Sequence, residues 1–354
     1  MVSVASITAE IRRPPWLQKA ARTGFAVLPG LLWWASFGDA RGIILAFAAL
    51  CISVTYGAGV RPWHMLGVGL VGALLLPGAT WIEAHPLACV PAIMVVMVGY
   101  VLIRRRTPLP ERLSTWLLIF LLYQSSELNA EGVAPSLVPA LLVVPATLWS
   151  VFVCYWLWPG RGEARPDVAK PKAAKPSMSV PRHAATLALA AGLAAAAGFR
   201  FDQTHVNWAI WSAITVVQAA AHDSFVKCGR RVLGGALGCA IGYALLVGLA
   251  PERWLLDIVT GLLVLLMVSL ETYVLAVGVR SALAVLAALQ LGGNGAWAGL
   301  VRIESIAIGV AIALVIVLAM APRGSWTWGE VWAEWRPRRW RAGRRQVFGK
   351  ETGI

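Results

Sequence analysis

The chain has 354 residues, of which 58 % are hydrophobic and only 14 % charged, with a mean hydropathy of +0.70. Soluble domains carry about a quarter charged residues, so a soluble globule is excluded and an all-α integral membrane protein is expected. A net charge of +14 would suit a nucleic-acid binder, but the positions of the charges assign it to membrane topology and no nucleic acid is expected as a partner.

A helix needs about 20 apolar residues, within about 17–25, to cross a bilayer. Segment 1–17 is polar, holds Arg12, Arg13 and a Pro pair, and lacks the apolar core of a cleavable signal. Apolar runs then predict spans over 18–37, 42–60, 63–80, 86–103, 113–128 and 136–158. After a gap they continue over 183–199, 206–222, 232–250, 253–270, 272–291 and 301–321. Twelve spans is the count read here, with ten or eleven as alternatives, because 113–128 and 206–222 are short and little but Glu271 separates the tenth and eleventh.

The positive-inside rule tests that count. With the N-terminus inside, all but Arg41, Arg200, Arg253, Arg280 and Arg302 of the 31 Lys and Arg residues fall on the cytoplasmic side. Both termini are therefore expected in the cytoplasm.

The gap from Arg161 to Arg182 is basic, rich in Pro and Ala, and without hydrophobic periodicity. It reads as a linker, 160–182, between a first six-helix membrane repeat over 18–159 and a second over 183–322. Arg61 to Ala73 follows the second span as Cys228 to Ala240 follows the eighth, and both run Leu-Gly into a Gly-rich helix. Six spans is an even number, so the halves would be parallel repeats about an axis along the membrane normal. Chance likeness among Leu/Gly/Ala-rich helices is the alternative.

The most informative stretch is Asn207 to Gly242. Trp208 and Trp211 are expected at its first rim, and Gln218 as the strongly polar side chain deep in that span. A polar corner follows with His222, Asp223, Lys227, Arg230 and Arg231. Gly234, Gly238 and Gly242 then lie four apart on one helix face, where small residues let another backbone approach. The tail, 323–354, interleaves Trp326, Trp328, Trp332, Trp335 and Trp340 with arginines. That pattern suits an interfacial segment on anionic inner-leaflet lipid.

The five cysteines, Cys51, Cys89, Cys154, Cys228 and Cys239, form no CxxC pair and read as small packing residues. His85 and Cys89 are four apart, which is too little for a metal site, and neither a metal nor a cofactor is expected. No HExxH, Walker or GxSxG motif is present, so neither an enzyme nor an ATP-driven machine is expected.

The run Trp211-Ser212, Thr215, Gln218, Arg231-Val232-Leu233-Gly234 and Gly238 resembles the hairpin of the fusaric acid resistance or aromatic acid exporter family. Tyr273-Val274-Leu275-Ala276 and the closing span Arg302 to Pro322 are similar to that family's last helices. The likeness is clearest over 183–322 and weaker over 18–159. Ser212, Ala219 and Gly235 depart from its usual Ala, Pro and Thr, and a large soluble domain between the halves is lacking. The resemblance implies a multi-pass protein of the bacterial inner membrane that exports small aromatic carboxylates, often with a periplasmic adaptor protein. Plant aluminium-activated malate channels look distantly similar.

Ionisable groups within the hydrocarbon default to functional candidates. Arg280, near the middle of the eleventh span, could hold a carboxylate with its planar fork, or pair structurally with Asp257 or Glu304. Arg230 and Arg231 could form an anion-attracting mouth, or snorkel to headgroups. Gln218 and Trp211 complete the candidate substrate site. Asp223, His222, Glu304 and Asp257 are candidates for proton coupling. The function expected is secondary export of a small organic anion; a passive anion channel and a membrane scaffold or assembly subunit are the alternatives. Oligomeric state is not legible.

Overall fold

The structure is a computed structural model. It describes residues 15–37, 40–56, 61–83, 85–106, 137–157, 178–201, 203–249, 272–290 and 295–322, with isolated positions at 255–270 and 327–331. Among these residues every regular element is a helix. They are α1 Pro15–Phe37, α2 Ala40–Tyr56, α3 Pro62–Glu83, α4 Pro86–Arg106 and α5 Leu137–Phe152, the last running into a π-turn, Val153–Leu157. The second half contributes α6 Val180–Phe201, α7 Gln203–Val216, α8 Ala221–Leu249, α9 Tyr273–Gln290 and α10 Gly295–Met320.

Proline sets several of these boundaries. Pro15, Pro62 and Pro86 each open a helix and Pro181 sits second in α6, where the missing N–H has no intrahelical partner to lose. Pro29, Pro77, Pro91 and Pro145 lie inside α1, α3, α4 and α5, as membrane helices tolerate. Within α3, the Thr80 hydroxyl donates to the carbonyls of Leu76 and Pro77 at 2.8 and 3.0 Å, beside one such break.

Among the described residues five helices are long and apolar enough to cross a membrane, within Pro62–Ile82, Pro86–Ile103, Val180–Phe201, Ala221–Gly248 and Ala296–Met320. Shorter apolar helices occupy Leu141–Leu157, Val206–Val216 and Tyr273–Leu286. The chain is thus an all-α, multi-pass membrane protein. The expected span 113–128, most of 253–270, most of the linker and nearly all of the tail with its five tryptophans lie outside the described residues.

Among the described residues several helix pairs recur in the two halves, while the extensive packing of α8 on α9, and that of α9 on α10, have no described counterpart. In the first half, α1 packs on α2 and α5, α2 on α3 and α5, and α3 on α5. In the second, α6 packs on α7 and α10, α7 on α8 and α10, and α8 on α10. One helix of the first half belongs to the second half's core. Cys89, Ile93, Met97 and Val101 of α4 are buried in the same cluster as Ala190, Ala191 and Ala194 of α6, Ile210 of α7 and Ile306 of α10. A separate cluster of Val27, Leu50, Leu76 and Val143 holds α1, α2, α3 and α5 together.

Helices α8 and α9 run side by side in the same direction. A Cβ on Gly234 would meet the Val274 carbonyl at 2.6 Å, one on Gly238 would overlap the Gly278 carbonyl, and one on Gly242 would meet the Ala282 Cα at 2.8 Å. The three glycines therefore face a neighbouring backbone along three successive turns, the approach that small residues permit.

Candidate functional site

The charged residues read as a loop corner are helical. Helix α7 ends at Val216 and α8 begins at Ala221, so His222, Asp223, Lys227, Arg230 and Arg231 occupy the first three turns of α8. Hydropathy treats charges as breaks, whereas a helix keeps them wherever an adjoining helix or the membrane boundary satisfies them. Asp223 stands in the first turn, where a carboxylate opposes the positive end of the helix dipole.

Gln218 is not deep in a span. It lies in the non-helical corner between α7 and α8, half-buried, and its Nε2 donates to the carbonyls of Val217 at 2.7 Å and Thr215 at 3.4 Å. Its backbone N–H donates to Ser224 Oγ at 2.8 Å. The amide thus turns back on its own chain because the corner leaves those carbonyls without helical donors. The Met178 N–H, donating to the Ala219 carbonyl at 3.1 Å, fastens the corner to the entry of α6.

The residue at the centre of the site is Arg231. It is 2 % exposed, and its Nη1 donates to the phenol oxygen of Tyr273, at the start of α9, at 3.3 Å. Its Nε is buried with no hydrogen-bond partner among the described residues. The ammonium of Lys227 stands 5.9 Å from the centroid of the same Tyr273 ring, and the Thr215 side chain of α7 lies beside the phenol. Arg280, partly buried two turns further along α9, is within electrostatic range of both Arg231 and Tyr273. It is also within range of Cys51 on α2, so it looks toward the first half.

Three cations thus converge on one phenol. Like charges repel most strongly where water is scarce, and a planar guanidinium is the side chain best shaped to take a carboxylate through two parallel hydrogen bonds. Chemically the cluster can attract and hold a small anion, with Tyr273 and Thr215 as neutral hydroxyl partners.

The remaining expected residues fall elsewhere. Trp211 is buried, at 7 % exposure, with a buried Nε1 lacking a partner among the described residues, and it stacks on Trp208 at 5.8 Å. Arg230 is half-buried beside Arg231 in sequence. His222 is half-buried, its Nδ1 buried without a partner among the described residues. Glu304 is exposed on α10 and Asp257 lies outside the described residues.

Sequence reasoning gave Lys227 no binding role and passed over Tyr273 and Thr215, although the last two stood in the quoted motifs. It placed Arg302 at the outer end of the last span and gave it no binding role. Helix α10 begins at Gly295, six residues ahead of the expected span, because Ala296 to Leu300 continues the apolar run. Arg302 is consequently buried, at 3 % exposure. A shallow groove between α4 and α6, lined by Met94, Val95, Val98, Gly99, Leu102 and Ala188, is wholly apolar and holds none of the expected site residues.

Residues 190–316 match the family described as fusaric acid resistance protein-like. No curated protein and no solved structure matches the chain. The match runs from the middle of α6 to near the end of α10 and includes every member of the cation cluster. With the apolar helices, it supports a transporter-like multi-pass membrane protein.

Proposed function

We propose, from the family match over the second half, that the protein is a secondary transporter of the bacterial inner membrane. Its passenger is a small organic anion, an aromatic carboxylate, moved outward. The observation that carries this reading is Arg231, fully buried, with an Nε unpartnered among the described residues, within range of the Arg280 guanidinium and sharing Tyr273 with the Lys227 ammonium. A carboxylate arriving there would relieve the repulsion and supply the missing acceptor. An inside-negative potential favours anion exit by about 2.3 kcal/mol per charge per 100 mV, and proton coupling through Asp223, His222 or Glu304 would add to it.

A carrier is favoured over a passive channel by the contact between α8 and α9. Just beyond the cluster the backbones meet at Gly238 and Gly278, so passage needs the helices to move. The helix pairs that recur in the two halves are in keeping with parallel repeats, and Arg280, within electrostatic range of Cys51 of α2, is where rocking of the halves would be felt. Anionic inner-leaflet lipid under the basic tail and a periplasmic adaptor complete the proposed partners.

The test is uptake of labelled benzoate into inverted vesicles, with and without a proton gradient. Transport above empty vesicles is expected, with Arg280→Ala lowering it about tenfold or more. Unchanged transport in Arg280→Ala would remove that residue from the site. Loss of the gradient dependence alone would leave the potential as the driving force.

A further inference from the structure

We infer that Arg302 and Trp208 form a second station for the same passenger, selective for a planar aromatic carboxylate over an aliphatic one. The inference rests on the anion-transport reading above but uses different residues. The guanidinium carbon of Arg302 lies 3.6 Å from the centroid of the Trp208 ring, stacked on its face. Arg302 also lies within electrostatic range of Cys239 on α8, which is next to Ser281 on α9, so four helices meet around it.

The setting is buried and rich in polar groups. On α7, Ser212 Oγ, Trp211 Nε1 and Asn207 Oδ1 are all buried without hydrogen-bond partners among the described residues. Each of these side chains is less than one-tenth exposed. Ser212 and Trp208 are one turn apart on the side of α7 facing α10, since a Cβ on Gly309 of α10 would meet Ser212 Cβ at 2.8 Å. Buried hydroxyl, indole N–H and amide groups are normally satisfied, and three orphans on the helix segment that carries the Arg302 stack point to a polar ligand.

The chemistry of the pair selects that ligand. A cation on an indole face is held by a modest attraction, while a carboxylate meeting a guanidinium makes the stronger, two-pronged contact. An aromatic acid can take both places together, its ring lying on Trp208 and its carboxylate drawing Arg302 aside. An aliphatic acid of equal charge meets the guanidinium but gains little from the indole face.

Helix α7 joins the two stations. Trp208, Trp211 and Thr215 follow at i, i+3 and i+7 on one side of it. The first bears the Arg302 stack, and the last stands beside Tyr273 of the Arg231 cluster. Seven residues of helix separate their ends by about 10 Å, a single step for a benzoate-sized molecule.

The experiment is equilibrium binding of labelled benzoate and labelled cyclohexanecarboxylate to the purified full chain in nanodiscs. About two equivalents of benzoate are expected at saturation, one for each station. Arg302→Gln and Trp208→Leu should each lose one equivalent or weaken it about tenfold or more. Trp208→Phe should restore it, and the same equivalent should prefer benzoate over cyclohexanecarboxylate.

Should Arg302→Gln lose its fold, Arg302→Lys and Trp208→Leu carry the same test. Full stoichiometry in Arg302→Gln and Trp208→Leu, or equal affinity for the two acids at both sites, would overturn the second station. In either case a loss in Arg231→Gln would leave the first station standing. No benzoate binding at all in the unmodified chain would overturn both.

Discussion

Arg231→Gln is expected to lower benzoate transport about a hundredfold in inverted vesicles while leaving a folded protein. The magnitude follows from truncating a buried charge that meets an opposite charge, which costs about 2–5 kcal/mol of interaction, and each 1.4 kcal/mol is about tenfold. Arg231 is the least exposed cation of the cluster, and its hydrogen-bond partner among the described residues is a phenol. Removing it therefore deletes a desolvated charge and the repulsion it shares with Arg280, so thermal stability should stay level or rise.

Arg231→Lys separates charge from shape. It retains the cation but not the planar fork, so transport should remain well below the unmodified level. Tyr273→Phe removes one neutral hydrogen-bond partner and should cost only about fivefold. The opposite pattern, a destabilised Arg231→Gln that transports normally, would mark Arg231 as a packing residue. It would then favour the scaffold alternative over transport.

Much of this architecture was legible in the sequence, and the reasons differ by element. Apolar runs located the described helices because a membrane helix must be apolar nearly throughout, which leaves a long, strong signal. Gly234, Gly238 and Gly242 were legible because a four-residue spacing has one meaning on a helix. Their partners, Val274, Gly278 and Ala282, were not, since nothing in α9 states which face meets α8.

The site was legible by composition and hidden in its geometry. Arg231 and Arg280 stood out as charges, yet their convergence depends on α8 and α9 running in the same direction, a property of tertiary packing. The same packing makes Tyr273 and Thr215 neighbours, although 58 positions separate them in the chain. Arg302 was read as the second residue of the last span, but the helix starts six residues earlier, so its burial was not legible. Gln218 was misplaced for a different reason. Its apolar neighbours Val216, Val217, Ala219 and Ala220 continue the hydrophobic run while the backbone leaves the helix at 216.

The second large effect is expected at Gly238. Gly238→Ala should destabilise the protein by about 3 kcal/mol or more, at or beyond the upper end of ordinary overpacking costs. A methyl there would fall on the Gly278 carbonyl and Cα, and a backbone cannot swing aside as a side chain can. Gly242→Ala, against the Ala282 backbone, should come next. Gly235→Ala should cost less, about 1 kcal/mol, because its nearest neighbour is the terminal methyl of Ile306 at 2.6 Å. Gly67→Ala and Gly248→Ala have nothing within 4 Å of the added carbon and should be neutral or slightly stabilising, since alanine is the better helix former.

Melting temperatures of the five variants in one detergent would give this order directly. An alanine at 238 as benign as one at 67 would mean that α8 and α9 do not meet there. The consequence reaches the site, because α8 carries Arg231 and α9 carries both Tyr273 and Arg280. Any separation of the two helices at Gly238 pulls the phenol from the guanidinium seven residues upstream. Gly238→Ala protein that survives should therefore bind benzoate more weakly although no binding group has changed. Gly248→Ala, further from the cluster on the same helix, should bind it as the unmodified chain does.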